Sequence, residues 1–162
     1  MNERFRRFGA LALVAAVTLG LATPAGAGSK KLGDGTRNGA GVSEVLATIN
    51  AERRARHIRL LRLDRALCRI AREHALDMAQ HRYFAHYSLD GRSPFDRMRA
   101  HHYRFGYAGE NLALDVNTRS ASEALWLSKE HRSNLLGPHY ANVGIAAVPI
   151  DGEIIVVEDF SD

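Results

Sequence analysis

Apolar positions along the chain fall into two helical stretches and one β-like stretch. Val45, Leu46 and Ile49 recur at helical spacing behind Ser43, which predicts a first helix capped by Ser43 and running to about Arg56. Leu60, Leu61 and Leu63 form a short apolar connector. Asp64 can then accept hydrogen bonds from the free N–H groups of a second helix. In that helix Leu67, Ile70, Ala71, His74, Ala75 and Met78 line one face as far as about His81. Tyr83 to Gly91 reads as a loop, and Ser93-Pro94 places a capping hydroxyl ahead of a proline for a short helix from Phe95 to about His101. Ser120 or Ser122 can cap a fourth helix carrying Ala124, Leu125, Trp126 and Leu127. A last helical turn is expected around His131 to Leu136, ending at Gly137-Pro138.

The C-terminal third changes period. Val143 to Val148 and Glu153 to Phe160 are rich in Val and Ile, with Asp151-Gly152 between them, a strong hairpin signal. An isolated hairpin is marginal, so a third strand is expected, from Tyr103 to Tyr107. Helices first and a hairpin last give an α+β fold rather than a parallel βαβ fold.

The N-terminus stands apart. Arg4, Arg6 and Arg7 precede an apolar run from Phe8 to Leu21, and Ala25-Gly26-Ala27 follows Pro24. This reads as a signal peptide over 1–27, too short and too quickly broken for a spanning helix. Residues 28–41 read as a flexible leader, and 42–162 as the folded domain. The expected location is therefore outside the cytoplasm, in the periplasm or beyond the cell.

Composition sets limits. The chain has 162 residues, 46% hydrophobic and 25% charged, which suits one globular domain. A single cysteine excludes a disulfide framework. Loss of residues 1–27 would take three Arg and one Glu from a formal charge of +4, and the remaining +2 argues against sequence-specific nucleic-acid binding. Nothing in the pattern asks for a second copy, so a monomer is expected. Arg53, Arg54, Arg56, Arg59, Arg62, Arg65, Arg69 and Arg72 crowd one region. They read as solvated helix faces paired with Glu52, Asp64 and Glu73, the alternative being a docking face for an anionic partner. Cys68 reads as a buried structural thiol.

Two of the eight histidines differ in setting from the rest. His74 lies on an apolar helix face and reads as a hydrogen-bonded core residue. His57, His81, His101 and His102 flank helix ends. His86 sits in the loop Phe84-Ala85-His86-Tyr87-Ser88, and His131 opens Glu130-His131-Arg132-Ser133-Asn134, with Gly109-Glu110-Asn111 between them. Two imidazoles and a carboxylate can bind a divalent cation, zinc first, with one position open. The same groups can run general acid–base chemistry. Spacing does not choose between these. Ser88 reads as a loop-capping hydroxyl, with a nucleophile as the sharper alternative.

From about Ile49 to Phe160 the chain resembles a bacterial member of the SCP/CAP superfamily, the cysteine-rich secretory, antigen 5 and pathogenesis-related proteins. The resemblance is carried in order by Asn50-Ala51-Glu52-Arg53, by Leu63-Asp64 with Leu67, Ala71, Ala75 and Met78, and by Phe84-Ala85-His86. Gly91-Arg92-Ser93-Pro94-Phe95-Asp96-Arg97, Gly109-Glu110-Asn111-Leu112, Trp126 with His131-Arg132-Ser133-Asn134-Leu135-Leu136, and the final hairpin continue it. It implies a three-layer α-β-α sandwich around a small central antiparallel sheet. It also implies a groove containing His86, His131 and Glu110, with Asn111 beneath it. The family's second glutamate falls on Lys129, and Glu130 stands where the family has glycine, so Glu130 is a candidate substitute carboxylate. Family links to divalent cations, lipids and polysaccharides imply an exported module binding a lipid, glycan or peptide. The alternatives are a metal-dependent hydrolase of peptidase or nuclease type in the same groove, and a non-catalytic structural envelope protein.

Overall fold

The computed structural model describes residues 36–162, with backbone alone for 36–40. The expected signal peptide and most of the leader lie outside the described residues. Helix α1 spans Thr36–Ala55, followed by the two-residue strand β1 (Arg62–Leu63), α2 (Arg65–His81) and α3 (Pro94–Ala100). Strand β2 (Ala108–Asp115), α4 (Thr118–Leu127), α5 (Lys129–Leu135), β3 (Asn142–Ile150) and β4 (Glu153–Ser161) complete the chain. The sheet order is β1-β3-β4-β2. Its three long strands are antiparallel, and β1 adds a short parallel edge on β3. Helices cover both faces, so the chain is an α+β, α-β-α sandwich. Val45 and Ile49 of α1 and Ala121 and Leu125 of α4 pack with Val143, Ile145, Val156 and Phe160 on one face. Ala71, Ala75 and Met78 of α2 pack with Leu112, Ala146, Ile155 and Val157 on the other.

The local chemistry explains most elements. Asp64 Oδ1 accepts from the N–H groups of Ala66 and Leu67 at 2.8 and 2.9 Å, which starts α2. Its first turn lies directly on β3. A Cβ on Gly144 would fall 2.2 Å from the Leu67 carbonyl carbon, so only glycine allows this approach. Ser93 and Asp96 close a reciprocal capping box around Pro94 at the start of α3. At the hairpin, Asp151 (φ 46°) and Gly152 (φ 89°) both take left-handed backbone, the requirement of a two-residue turn matching strand twist.

Four expectations change. Helix α1 begins at Thr36, so Ser43 lies inside it and residues 36–41 of the expected leader are helical. Asn117 caps α4, accepting from Ser120 N–H at 3.0 Å, while Ser122 Oγ donates back to the Thr118 carbonyl. The last helical segment starts at Lys129 with Ser128 as its cap. The third strand is Ala108–Asp115, not Tyr103–Tyr107. The earlier segment is tethered instead, as Asp162 Oδ1 accepts from Gly106 and Tyr107 N–H at 2.8 and 3.0 Å.

Arg53 departs furthest from its expected surface role. It is fully buried. Its Nε donates to the Arg59 carbonyl at 2.6 Å, Nη1 to Leu135 at 2.8 Å, and Nη2 to Gly137 and Tyr140 at 3.1 Å each. One planar fork thus joins α1 to the end of α5 and to the turn leading into β3. Burial pulls this guanidinium below its ordinary value. Of the expected surface pairs, Glu52 meets Arg56, but Asp64 is used as a cap and Glu73 pairs with His101 at 2.7 Å. Cys68 is half-buried, and burial pushes its thiol up. Substituting Arg53→Ala would remove the donors to four carbonyls, of which that of Gly137 keeps a backbone donor, the Tyr140 N–H, and is expected to cost about 3–5 kcal/mol. Exposed Arg54→Ala should stay within about 0.5 kcal/mol. Urea titration of the two variants measures the contrast.

Candidate functional site

The β2–β4 register builds the centre of the site. Glu110 lies opposite Asp159 and Asn111 opposite Glu158. Successive strand residues point to opposite faces, so Glu110 and Asp159 face α2 while Asn111 and Glu158 face α1 and α4. All four are buried.

On the α2 face, Glu110 is held from two sides. His86 Nδ1–H donates to its Oε1 at 2.8 Å, and Arg97 Nη2 donates to its Oε2 at 2.5 Å. The Nη1 of Arg97 reaches the His86 carbonyl at 2.8 Å, and Ser88 Oγ and the Arg92 carbonyl at 3.3 Å each. Buried Arg97 therefore shapes the loop that carries His86. His74 adds a second tether through Nε2–H to the Ala85 carbonyl at 2.9 Å, as its core reading anticipates. Burial first, then the Arg97 charge, lowers the basicity of His74. Its Nδ1 and the Arg97 Nε have no protein partner among the described residues. Both residues line a polar cavity of about 220 Å³, roomy enough for water to pair with them.

Asp159 has neither oxygen accepting a protein hydrogen bond. Burial, then the adjacent Glu110 charge, pushes it well above the usual carboxylate range. Two carboxyls on one rung cannot both ionise cheaply, and Glu110 holds the two donors, so Asp159 keeps the proton.

On the opposite face, Asn111 Nδ2 donates to Glu158 Oε2 at 3.1 Å and to the His131 carbonyl at 3.2 Å. Asn134 Nδ2 donates to Asn111 Oδ1 at 2.9 Å and to the Glu110 carbonyl at 3.3 Å. The amide of Asn111 thus points inward beneath the groove. The ring of half-buried His131 is lowered by burial and then by the charge of His86, the pair having been brought together across the edge of β2. Burial drives Glu158 up to about 7.

The structure thus joins His86, Glu110, Asn111 and His131. Glu130 is exposed in the first turn of α5, where it accepts from Ser128 Oγ at 3.1 Å and its charge acts on His131 from outside this network. Lys129 is exposed beside it. Ser88 is 8% exposed and hydrogen-bonded by Arg97, a loop hydroxyl rather than an accessible nucleophile. The three-ligand metal set of His86, His131 and Glu110 does not fit. Both Glu110 oxygens are engaged, and no group of three His, Cys, Asp or Glu able to hold a metal occurs among the described residues. Glu110 instead orients His86, leaving Nε2 as that ring's outward nitrogen. Sequence reasoning passed over Arg97, Asn134, Glu158 and Asp159 as site residues. The adjacent acids Glu158-Asp159 inside the run Ile154 to Phe160 were the available signal.

A larger cavity of about 580 Å³ lies between α1 and α4, lined by Val45, Ile49, Trp126, Leu127 and Leu135, with Glu158 in its wall. Asn111 links its wall to the histidine side, donating to Glu158 and to the His131 carbonyl.

Residues 46–160 match the cysteine-rich secretory protein family. The chain belongs to the CAP family. This CAP domain is 34% identical over 106 residues to the uncharacterised protein YkwD of Bacillus subtilis, covering 65% of this chain and 41% of that protein. It is 32% identical over 103 residues to the uncharacterised membrane protein YlbC of the same organism, covering 63% of this chain and 30% of that one. The chain thus spans less than half the length of these relatives. Among solved structures, an SCP-domain extracellular protein of Bacillus anthracis superposes with a TM-score of 0.71 at 24% identity, over 76% of this chain and 41% of that chain. An outer surface protein of Borrelia burgdorferi gives 0.72 at 22% identity, over 80% of this chain and 95% of that one. At these identities the structural matches establish the CAP fold.

Glu158 yields a pH prediction. Its folded value of about 7 lies above the ordinary 4.5, so the protonated acid favours the fold. That contribution is complete below pH 4.5 and is lost as pH rises through about 7. Glu158→Gln should therefore match the parent near pH 4 and exceed it by up to about 3 kcal/mol at pH 8. Paired denaturant curves at the two pH values test this, with His74 and His131, which shift the opposite way, common to both proteins.

Proposed function

We propose that the chain is a non-catalytic, exported binding module that seats the apolar chain of a lipid-like ligand between α1 and α4. The cavity of about 580 Å³ carries this reading. Its size lies within the range of roughly 300–1,000 Å³ common to small-molecule sites, and most of its exposed wall is apolar, with the polar and charged side chains of Thr48, Ser122, Glu44, Glu52, Arg119 and Glu123 also lining it. A glycan or an extended peptide finds less support in such a wall. Export rests on the N-terminal sequence pattern. It accords with the extracellular and outer-surface descriptions of two structural relatives. No helix among the described residues is long and apolar enough to cross a membrane.

The hydrolase alternative is weaker. A general base needs a free lone pair aimed at substrate, and both Glu110 oxygens are held by His86 and Arg97. Zinc chemistry remains a property to test on His86 and His131 alone, with Glu110 behind His86.

Trp126 is the single tryptophan and lines the cavity, so it reports on occupancy directly. Titrating the full chain with decanol should give a saturable change in Trp126 emission. Thr48→Phe or Ser122→Phe, which fill the cavity from α1 and α4, should weaken binding at least about tenfold, or about 1.4 kcal/mol. A parent protein with no saturable response, or filled variants that bind as well as the parent, would remove this reading.

A further inference from the structure

The α1–α4 cavity has a charge pattern opposite to that of the chain as a whole. The full sequence carries a formal +4. The charged residues lining the cavity are Glu44, Glu52, Glu123 and Glu158 against one base, Arg119. Arg119 is engaged by Glu44 at 2.9 Å, and Glu52 by Arg56. Glu158 differs from the three others in depth, since it is 1% exposed and set in the sheet floor between Val156 and Phe160. Asn111 is its hydrogen-bond donor, and no arginine, lysine or histidine forms an ion pair with it among the described residues. A cavity with a mostly apolar wall therefore includes a buried carboxyl that has no ion-pair partner among the described residues.

We infer that the ligand of this cavity is a cationic amphiphile, whose alkyl chain packs against Val45, Ile49, Trp126 and Leu135 and whose primary ammonium donates to Glu158. This rests on the cavity being the binding site, as proposed above, and adds the head-group chemistry. A buried charge is costly until paired, and an ammonium supplies both the missing counter-ion and a hydrogen-bond donor. An alcohol supplies the donor alone. A carboxylate head meets like charge in a low-dielectric setting, so either it or Glu158 must take up a proton. The elevation of Glu158 to about 7 by burial accords with a carboxyl awaiting a cation.

Decylamine, decanol and decanoate share one chain and differ in head group, so the test compares all three on the full chain at pH 8. Each is titrated below its micellar concentration and read by Trp126 emission. The expected order is decylammonium tightest, decanol next, and decanoate at least tenfold weaker than the amine. Glu158→Gln keeps the acceptor for Asn111, removes the charge, and should bring the amine and the carboxylate within threefold of each other. Glu123→Gln, at the cavity rim, should leave the order intact. Saturable decanol binding with no amine preference overturns the inference and leaves the cavity reading standing. An amine preference that survives Glu158→Gln also overturns it, because the rim acids then account for the selectivity. Failure of all three probes to bind overturns the cavity reading and the inference together.

Discussion

The site is organised by one buried guanidinium. Arg97 is the cation that the α2 side of the sheet offers to the Glu110–Asp159 rung, and it also holds the carbonyls of His86 and Arg92. Removing a charge from such a network leaves its partners buried and uncompensated, which is costlier than the worth of the bonds themselves. The shape of the histidine loop and the anchoring of the Glu110 carboxylate both follow from where Arg97 lies. Ser93 and Pro94 start α3 just ahead of it, and this seven-residue helix turns Arg97 into the site and Met98 into the core against Leu67 and Ile70.

Buried polar groups also join the two faces of the sheet. Glu110 and Asn111 are neighbours in sequence but face opposite layers. Asn134 spans them by donating to the Glu110 carbonyl and to the Asn111 amide oxygen. Asn111 then contacts the Glu158 carboxyl and the His131 carbonyl. In a low-dielectric interior such a chain of amides fixes a single arrangement, because every alternative leaves a donor or acceptor unpaired. This explains why an Asn follows the Glu in this strand.

Much of this was legible before any coordinates. Asp64 and the spacing from Leu67 to Met78 gave α2 its limits, Ser93-Pro94 gave α3, and Asp151-Gly152 gave the hairpin. These are local signals, decided within one turn of chain. What was missed depends on long-range burial. Residues Gly109 to Ala113 are buried without a break because helices cover both faces, so the alternation that marks a half-exposed strand is absent from β2. Arg53 looked like one of eight surface arginines, and only the approach of Leu135, Gly137 and Tyr140 from 82 to 87 residues away makes it a core residue. His86, Glu110 and His131 stood out by their loop settings, and the family resemblance placed them in one groove. Their roles needed geometry, which turned Glu110 from a ligand into the residue that orients His86.

The three buried acids differ in how completely the protein satisfies them, and that difference distinguishes the two faces. Glu110 has a donor on each oxygen. Asp159 keeps its proton beside Glu110, and neither of its oxygens accepts a protein hydrogen bond among the described residues. Glu158 has one amide from Asn111 and no ion pair among the described residues, and it lies in the wall of the α1–α4 cavity. The histidine side of the sheet contains two buried carboxyls, Glu110 committed to His86 and Arg97 and Asp159 keeping its proton beside it. The buried carboxyl with one amide donor and no ion pair among the described residues lies across the sheet, at the wall of the α1–α4 cavity. A site that must wait for its ligand keeps such a group at the cost of stability when empty, whereas a purely structural core would gain by replacing it with a neutral side chain.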